Sequence, residues 1–153
     1  MSFAYIICAN EEDIKRIKNI AEDNLNIKVT INDGINSIIE QRVTSILHNL
    51  GVSSGLKGYK LLKDTIMYYL VNQDINNFYK DLYPIVAKEN NISVNTLDKS
   101  ISRVIEKSIN NADYNYLDKI FGSSIDIDKG KPTNKEYIIT IVEAININVD
   151  FKM

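Results

Sequence analysis

The strongest constraint on the fold of this 153-residue chain is a change of apolar period near position 34. Ahead of it, residues 3–8 form a short apolar run rich in Ile and Tyr, which suits a buried strand. Residues 26–31 alternate Ile27, Val29 and Ile31 with polar neighbours, the pattern of a half-buried strand. Between them Ile14, Ile17, Ile20 and Ala21 recur at helical spacing behind Glu11, Glu12 and Asp13, acids that favour a helix start. Asn32-Asp33-Gly34 reads as a turn. From Ile35 onward the spacing is helical and stays so. Ile35, Ile38, Ile39, Val43, Ile46, Leu47 and Leu50 make one stripe that Gly51 ends. Further helices are expected at 59–70, 78–88 (containing Pro84), 95–109 and 114–121. The last begins behind Thr133, with Glu136 three residues on as a capping box. The expected fold is therefore mainly α: six helices preceded by a short β-α-β segment.

Composition limits what such a fold can do. Eighteen basic residues against 20 acidic ones leave a formal charge of −2, and 44% hydrophobic with 25% charged residues is ordinary for a globular domain. Bulk-charge binding to nucleic acid is excluded, so any such binding has to come from a local arrangement. Residues 1–42 hold five basic and seven acidic residues, and residues 43–153 hold 13 of each. Cys8 is the single cysteine and His48 the single histidine, so neither a disulfide nor a Cys/His metal centre is available within the chain. Asp118, Asp126 and Asp128 lack the Gly and terminal Glu of a calcium loop. No metal, cofactor or enzymatic activity is expected. No apolar run approaches the length of a signal peptide or a membrane span, so the expected location is the cytoplasm.

One constellation carries chemistry. The helix ending at Ala87-Lys88, the polar turn Asn90-Asn91-Ile92-Ser93 and the helix after Val94 read as a helix-turn-helix, whose second helix lies in the DNA major groove. Leu97, Ile101, Ile105 and Ile109 give that second helix a core face. Lys99, Arg103 and Lys107 recur every fourth residue on another face. A plain amphipathic helix would carry such a stripe as a solvated face; the preceding helix and turn make contact with DNA an equal reading, and both stay open on these residues alone.

From about Val43 onward the chain resembles the effector domain of the stage zero sporulation protein A family, response-regulator transcription factors of endospore-forming bacteria. The resemblance rests on Ser45-Ile46-Leu47-His48, Gly51-Val52, Leu56-Lys57-Gly58-Tyr59 and Leu82-Tyr83-Pro84 with Ile85, Ala87 and Lys88. It continues through Ile101, Ile105, Glu106, Phe121-Gly122 and, most specific, Lys129-Gly130-Lys131-Pro132-Thr133-Asn134. It implies a six-helix domain over residues 43–153 that docks its recognition helix into short promoter boxes of double-stranded DNA. The base-reading positions fall on Thr96, Asp98, Lys99, Ser102 and Arg103. The family pattern there is Arg, Glu, Arg, Arg and His, so this chain departs at all five. Lys for Arg exchanges a planar bidentate donor for a point charge, and each lost bidentate contact removes about 1–3 kcal/mol of base discrimination. Phosphate contacts are expected at Lys57, Lys107, Lys129, Lys131, Thr133 and Asn134.

Residues 1–42 resemble the first strand, helix and second strand of the family's receiver domain, with Asn10 and Glu11 at its paired acidic positions. The chain then passes directly into the effector's first helix. No segment remains there for the strand bearing the phosphoacceptor Asp, so phosphorylation control is not expected. Two strands alone are marginal, and pairing their edges with another chain would give a homodimer. Two functions follow. One is a sequence-specific, nucleoid-associated transcriptional regulator, with RNA polymerase as a further partner. The other is an antagonist that binds the full-length sporulation regulator or its partners. Lys99, Arg103, Lys107 and the 129–134 motif favour the first; the neutral charge and altered reading face favour the second.

Overall fold

In the computed structural model, which describes residues 15–16, 19–20, 34–122 and 130–150, the long helical periodicity becomes six α-helices, and the described residues hold no strand. The strands expected at 3–8 and 26–31 lie outside the described residues, as do Cys8, Asp126, Asp128 and Lys129. The chain divides into two units, Met1–Ser37 and Ile38–Met153. In the first, residues 15–16 and 19–20 are helical.

The helices are α1 (Gly34–Asn49), α2 (Tyr59–Val71), α3 (Tyr83–Glu89), α4 (Val94–Asn111), α5 (Tyr114–Phe121) and α6 (Asn134–Asp150). Gly51, at φ 74°, stops α1: its N–H bonds to the His48 carbonyl and that of Val52 to the Leu47 carbonyl. This left-handed turn is one that glycine adopts without strain. A Cβ at Gly51 would also lie 2.9 Å from the backbone carbon of Asn111, so glycine lets the end of α1 abut the end of α4. Among the stripe residues of α1 whose burial is described, Ile38 is the exception. It is 55% exposed, because helical spacing places it away from the buried line of Val43, Leu47 and Leu50.

The helix expected at 78–88 is two structures. Residues Phe78–Leu82 form a π-helical turn, and α3 starts only at Tyr83. Pro84 supplies the reason: it has no N–H to continue the ladder, and the Tyr83 N–H reaches back five residues to the Phe78 carbonyl. Asn77 caps the turn by accepting from the Lys80 N–H at 3.0 Å.

The core of the second unit lies between α2, α3, α4 and α6. Leu62, Ile66, Leu82, Leu97, Ile101, Ile138 and Ile141 are fully buried there, each contributing on the order of 2 kcal/mol by its removal from water. α4 packs against α2, α3 and α6 through Leu97, Ile101, Val104, Ile105 and Ser108. Its opposite side is left to solvent. α5 packs on α6, where the Phe121 and Tyr137 rings lie 5.1 Å apart.

Candidate nucleic-acid interface

The turn between α3 and α4 is tightly specified. Asn91 takes φ 54°, the Ile92 N–H bonds to the Ala87 carbonyl at 3.0 Å, and the Asn91 N–H bonds to the Lys88 carbonyl at 3.2 Å. That is a left-handed helix stop with asparagine in the usual glycine place. Ser93 then opens α4, its Oγ accepting from the Thr96 N–H at 3.1 Å. Asn90 holds the turn to α2: its Nδ2 donates to Asp64 Oδ2 at 3.2 Å, and its Oδ1 accepts from Lys60 Nζ at 2.8 Å. With these five bonds fixing the turn, α3 and α4 form the helix-turn-helix that the residues imply.

Residues four apart share a helix face, so the outward side of α4 carries two neighbouring rows. One row is Lys99, Arg103 and Lys107. All three are exposed, and none makes an ion pair or side-chain hydrogen bond among the described residues. The other row is Asp98, Ser102 and Glu106, and the segment entering α6 lies along it. Asn134 Nδ2 donates to Asp98 Oδ1 at 2.8 Å and to the Asp98 backbone carbonyl at 3.1 Å. Lys131 Nζ donates to Ser102 Oγ at 3.0 Å and stands 3.7 Å from Glu106 Oε2.

A second loop lies on the opposite flank. Gly58 rests against Ser100 and Val104; a Cβ there would lie 2.4 Å from Val104 Cγ2 and 2.8 Å from the Ser100 carbonyl oxygen. Lys57, the residue before it, is exposed. The open cationic row therefore runs between the Lys57 loop and the Lys131 loop.

Several expected contact residues already have partners inside the protein. The Thr96 hydroxyl is 2.8 Å from that of Ser93. Thr133 forms a reciprocal capping box: its N–H and its hydroxyl both donate to Glu136 Oε2 at 2.8 Å, and its Oγ1 accepts from the Glu136 N–H at 3.2 Å. Those bonds hold the Glu136 carboxyl below its ordinary value of 4.5. Tyr83, Asp98 and Asn134 stand around one shallow pocket between α3, α4 and the start of α6. Burial, the largest effect, pushes the Tyr83 phenol up to about 12; the Asn134 side chain opposes this and the nearby Asp98 charge adds to it. The structure thus gathers Asp98, Ser102, Lys131 and Asn134 along one seam and leaves Lys99, Arg103 and Lys107 open beside it.

Glu106, Asn90 and Lys135 are seam or anchor residues that periodicity alone does not mark as functional. Lys135 Nζ donates to the Asn76 carbonyl at 2.8 Å and lies 5.7 Å from the centre of the Phe78 ring, holding the start of α6 to the π turn. The Lys131–Ser102 contact joins residues 29 apart in sequence, which no local pattern reveals. His48 stands in the last turn of α1, exposed, with its ring 6.0 Å from that of Tyr59. No His, Cys, Asp and Glu cluster able to hold a metal ion occurs among the described residues, and no described helix is long and apolar enough to cross a membrane.

Residues 43–145 match the family model described as the sporulation initiation factor Spo0A C terminal. The match takes in the helix-turn-helix, both flanking loops and most of α6. Scaffold residues named from the sequence occupy structural posts within it: Gly51 and Gly58 at close approaches, Pro84 at the π turn, and Thr133 and Asn134 at the head of α6. The chain belongs to the Spo0A C-terminal family, the DNA-binding effector domain of a sporulation transcription regulator.

Proposed function

We propose that this chain is a sequence-selective regulator of transcription that acts as a homodimer and without phosphorylation. In this reading residues 43–153 are the effector, and α4 enters the major groove with Arg103 and Lys99 toward base edges. Lys57, Lys107 and Lys129 meet phosphates on either side. Thr96 lies at the head of the same helix and faces the groove from its first turn. Asp98 and Asn134, expected as direct contacts, serve by holding α6 to α4, and Thr133 serves by capping α6. The observation that carries the reading is the row of Lys99, Arg103 and Lys107, exposed and unpaired among the described residues, between two loops that bear further lysines.

Independence from phosphorylation is supported by the sequence between Gly34 and Val43, which runs straight into the effector helices and leaves no strand for a phosphoacceptor. The homodimer is supported by the two strand-like segments within 1–42, which are too few to form a stable sheet alone.

Selection from a random duplex library, followed by a mobility-shift titration at moderate salt, tests the reading. A defined motif is expected. Arg103→Ala should weaken binding to it about tenfold or more and relax the preference at one base pair, because a bidentate guanine contact supplies about 1–3 kcal/mol of discrimination. Treatment with a small-molecule phosphodonor should leave the affinity unchanged. Failure to enrich any sequence sinks the regulator reading, and an unaffected Arg103→Ala protein shows that another face of α4 reads the DNA.

A further inference from the structure

Resting on that DNA-binding reading, the geometry points to Lys131 as a base-reading residue, placed on the recognition helix by Ser102 and Glu106 rather than aimed at the phosphate backbone. Ser102 occupies the row beside Arg103, but its hydroxyl does not meet solvent alone. Lys131 Nζ sits 3.0 Å from Ser102 Oγ, so a ligand approaching that part of α4 meets an ammonium. Lys131 is 43% exposed and Glu106 is 61% exposed, so both charges stand at the surface that would enter a groove.

Two features separate Lys131 from the lysines assigned to phosphates. Lys57 and Lys107 are without side-chain partners among the described residues and are free to follow a phosphate. Lys131 is joined to α4 at two points, so its position is fixed relative to the helix that reads the groove. Its neighbour Glu106 matters as well. If Lys131 left to neutralise a phosphate, the Glu106 carboxylate would face the polyanion uncompensated. Kept in place, the pair is complementary to the major-groove edge of one G·C base pair. The ammonium donates to O6 or N7 of guanine, and the carboxylate, 3.7 Å away, accepts from the N4 amino group of cytosine. A loop residue and a helix residue would then read one base pair together, at the place where α4 itself offers only a serine.

The test is library selection with the unaltered full-length protein and with Lys131→Ala, Lys131→Arg and Glu106→Gln, each also titrated at several salt concentrations. The expected motif contains a G·C pair whose preference Lys131→Ala abolishes, with a loss of about tenfold or more on the selected site and little change on unrelated duplex. Lys131→Arg should retain the guanine, since arginine makes the same contact. Glu106→Gln should relax the preference at that same pair, and the slope of log affinity against log salt should stay the same in Lys131→Ala. An unchanged motif, bound more weakly at every sequence and with a slope shallower by about one, would make Lys131 a phosphate contact and overturn the inference. Failure of the unaltered protein to select any sequence removes the regulator reading and this inference with it. That failure appears without any substitution, so the two are told apart.

Discussion

Ser108 shows how much one hydroxyl can organise. It is fully buried in α4, where its Oγ donates to the Leu50 carbonyl at 2.7 Å and lies 2.7 Å from the Tyr137 hydroxyl. Its one proton goes to the carbonyl, so Tyr137 must be the donor in the second bond. The chain α1–Ser108–Tyr137 joins three helices, and every buried side-chain polar atom among the described residues has a partner. Burial pushes the Tyr137 phenol well above its ordinary range. The two substitutions that break this chain are not equivalent. Ser108→Ala strands both the Leu50 carbonyl and the Tyr137 hydroxyl, costing about 2–3 kcal/mol, whereas Tyr137→Phe removes one donor and costs about 1 kcal/mol. Urea unfolding midpoints at neutral pH measure both; equal losses would mean that the Leu50 carbonyl finds another partner.

Asn91 shows what a single position hides from sequence. Asn90-Asn91 reads correctly as a turn, but nothing local says which asparagine turns left-handed. The structure puts φ 54° at Asn91 and gives Asn90 the bonds to α2. Ser102 and Asp98 carry the same lesson at the interface. Helical spacing places them beside the basic row, yet their partners, Lys131 and Asn134, come from a distant loop.

Helix starts and stops were the most legible features, because each depends on a few neighbouring residues. The capping box at Thr133 and Glu136 is visible in sequence and present in the structure, with both partners satisfied. The same holds for Gly51 after α1, while the Ser93 cap of α4, read from sequence only as part of the turn, is supplied by the structure. Pro84 misled in a specific way: an apolar pattern from 78 to 88 implies one helix, but the missing N–H converts its first half into a π turn. The capping box also has a pH signature. Glu136 has a folded-state value lowered below 4.5, so its contribution is fully present above 4.5 and is lost as pH falls through the lower folded value. The carboxylate is almost fully exposed, so solvent screens the effect and the loss is small. Thr133→Ala should lower stability by about 1 kcal/mol near neutral pH. Glu136→Gln should be less sensitive than the unaltered protein to acidification below pH 4.5. Thermal unfolding between pH 3 and 7 checks both, and an identical acid profile for Glu136→Gln would remove the carboxylate from the account.

Neutral charge and DNA binding are reconciled by where the charges lie. Residues 43–153 carry as many acids as bases, so the domain has no general attraction for a polyanion. What it has is a short row on α4, unpaired among the described residues, with a lysine-bearing loop on each flank. This arrangement makes a quantitative demand on salt dependence. A protein that neutralises few phosphates releases few counterions, and each phosphate contact adds about 0.9 to the slope of log affinity against log salt. Lys57, Lys107 and Lys129 imply a slope of about −3 for one effector domain on DNA, and about twice that for a dimer on two half-sites. Lys107→Ala should make the slope shallower by about 0.9 per effector and weaken all sequences alike, leaving the motif unchanged. Arg103→Ala should instead change the motif. Measuring affinity at several salt concentrations, with sedimentation to count the chains bound, separates these outcomes. A slope far steeper than a dimer allows would mean that other cations join the interface, and the compact patch on α4 would no longer account for how a neutral protein holds DNA.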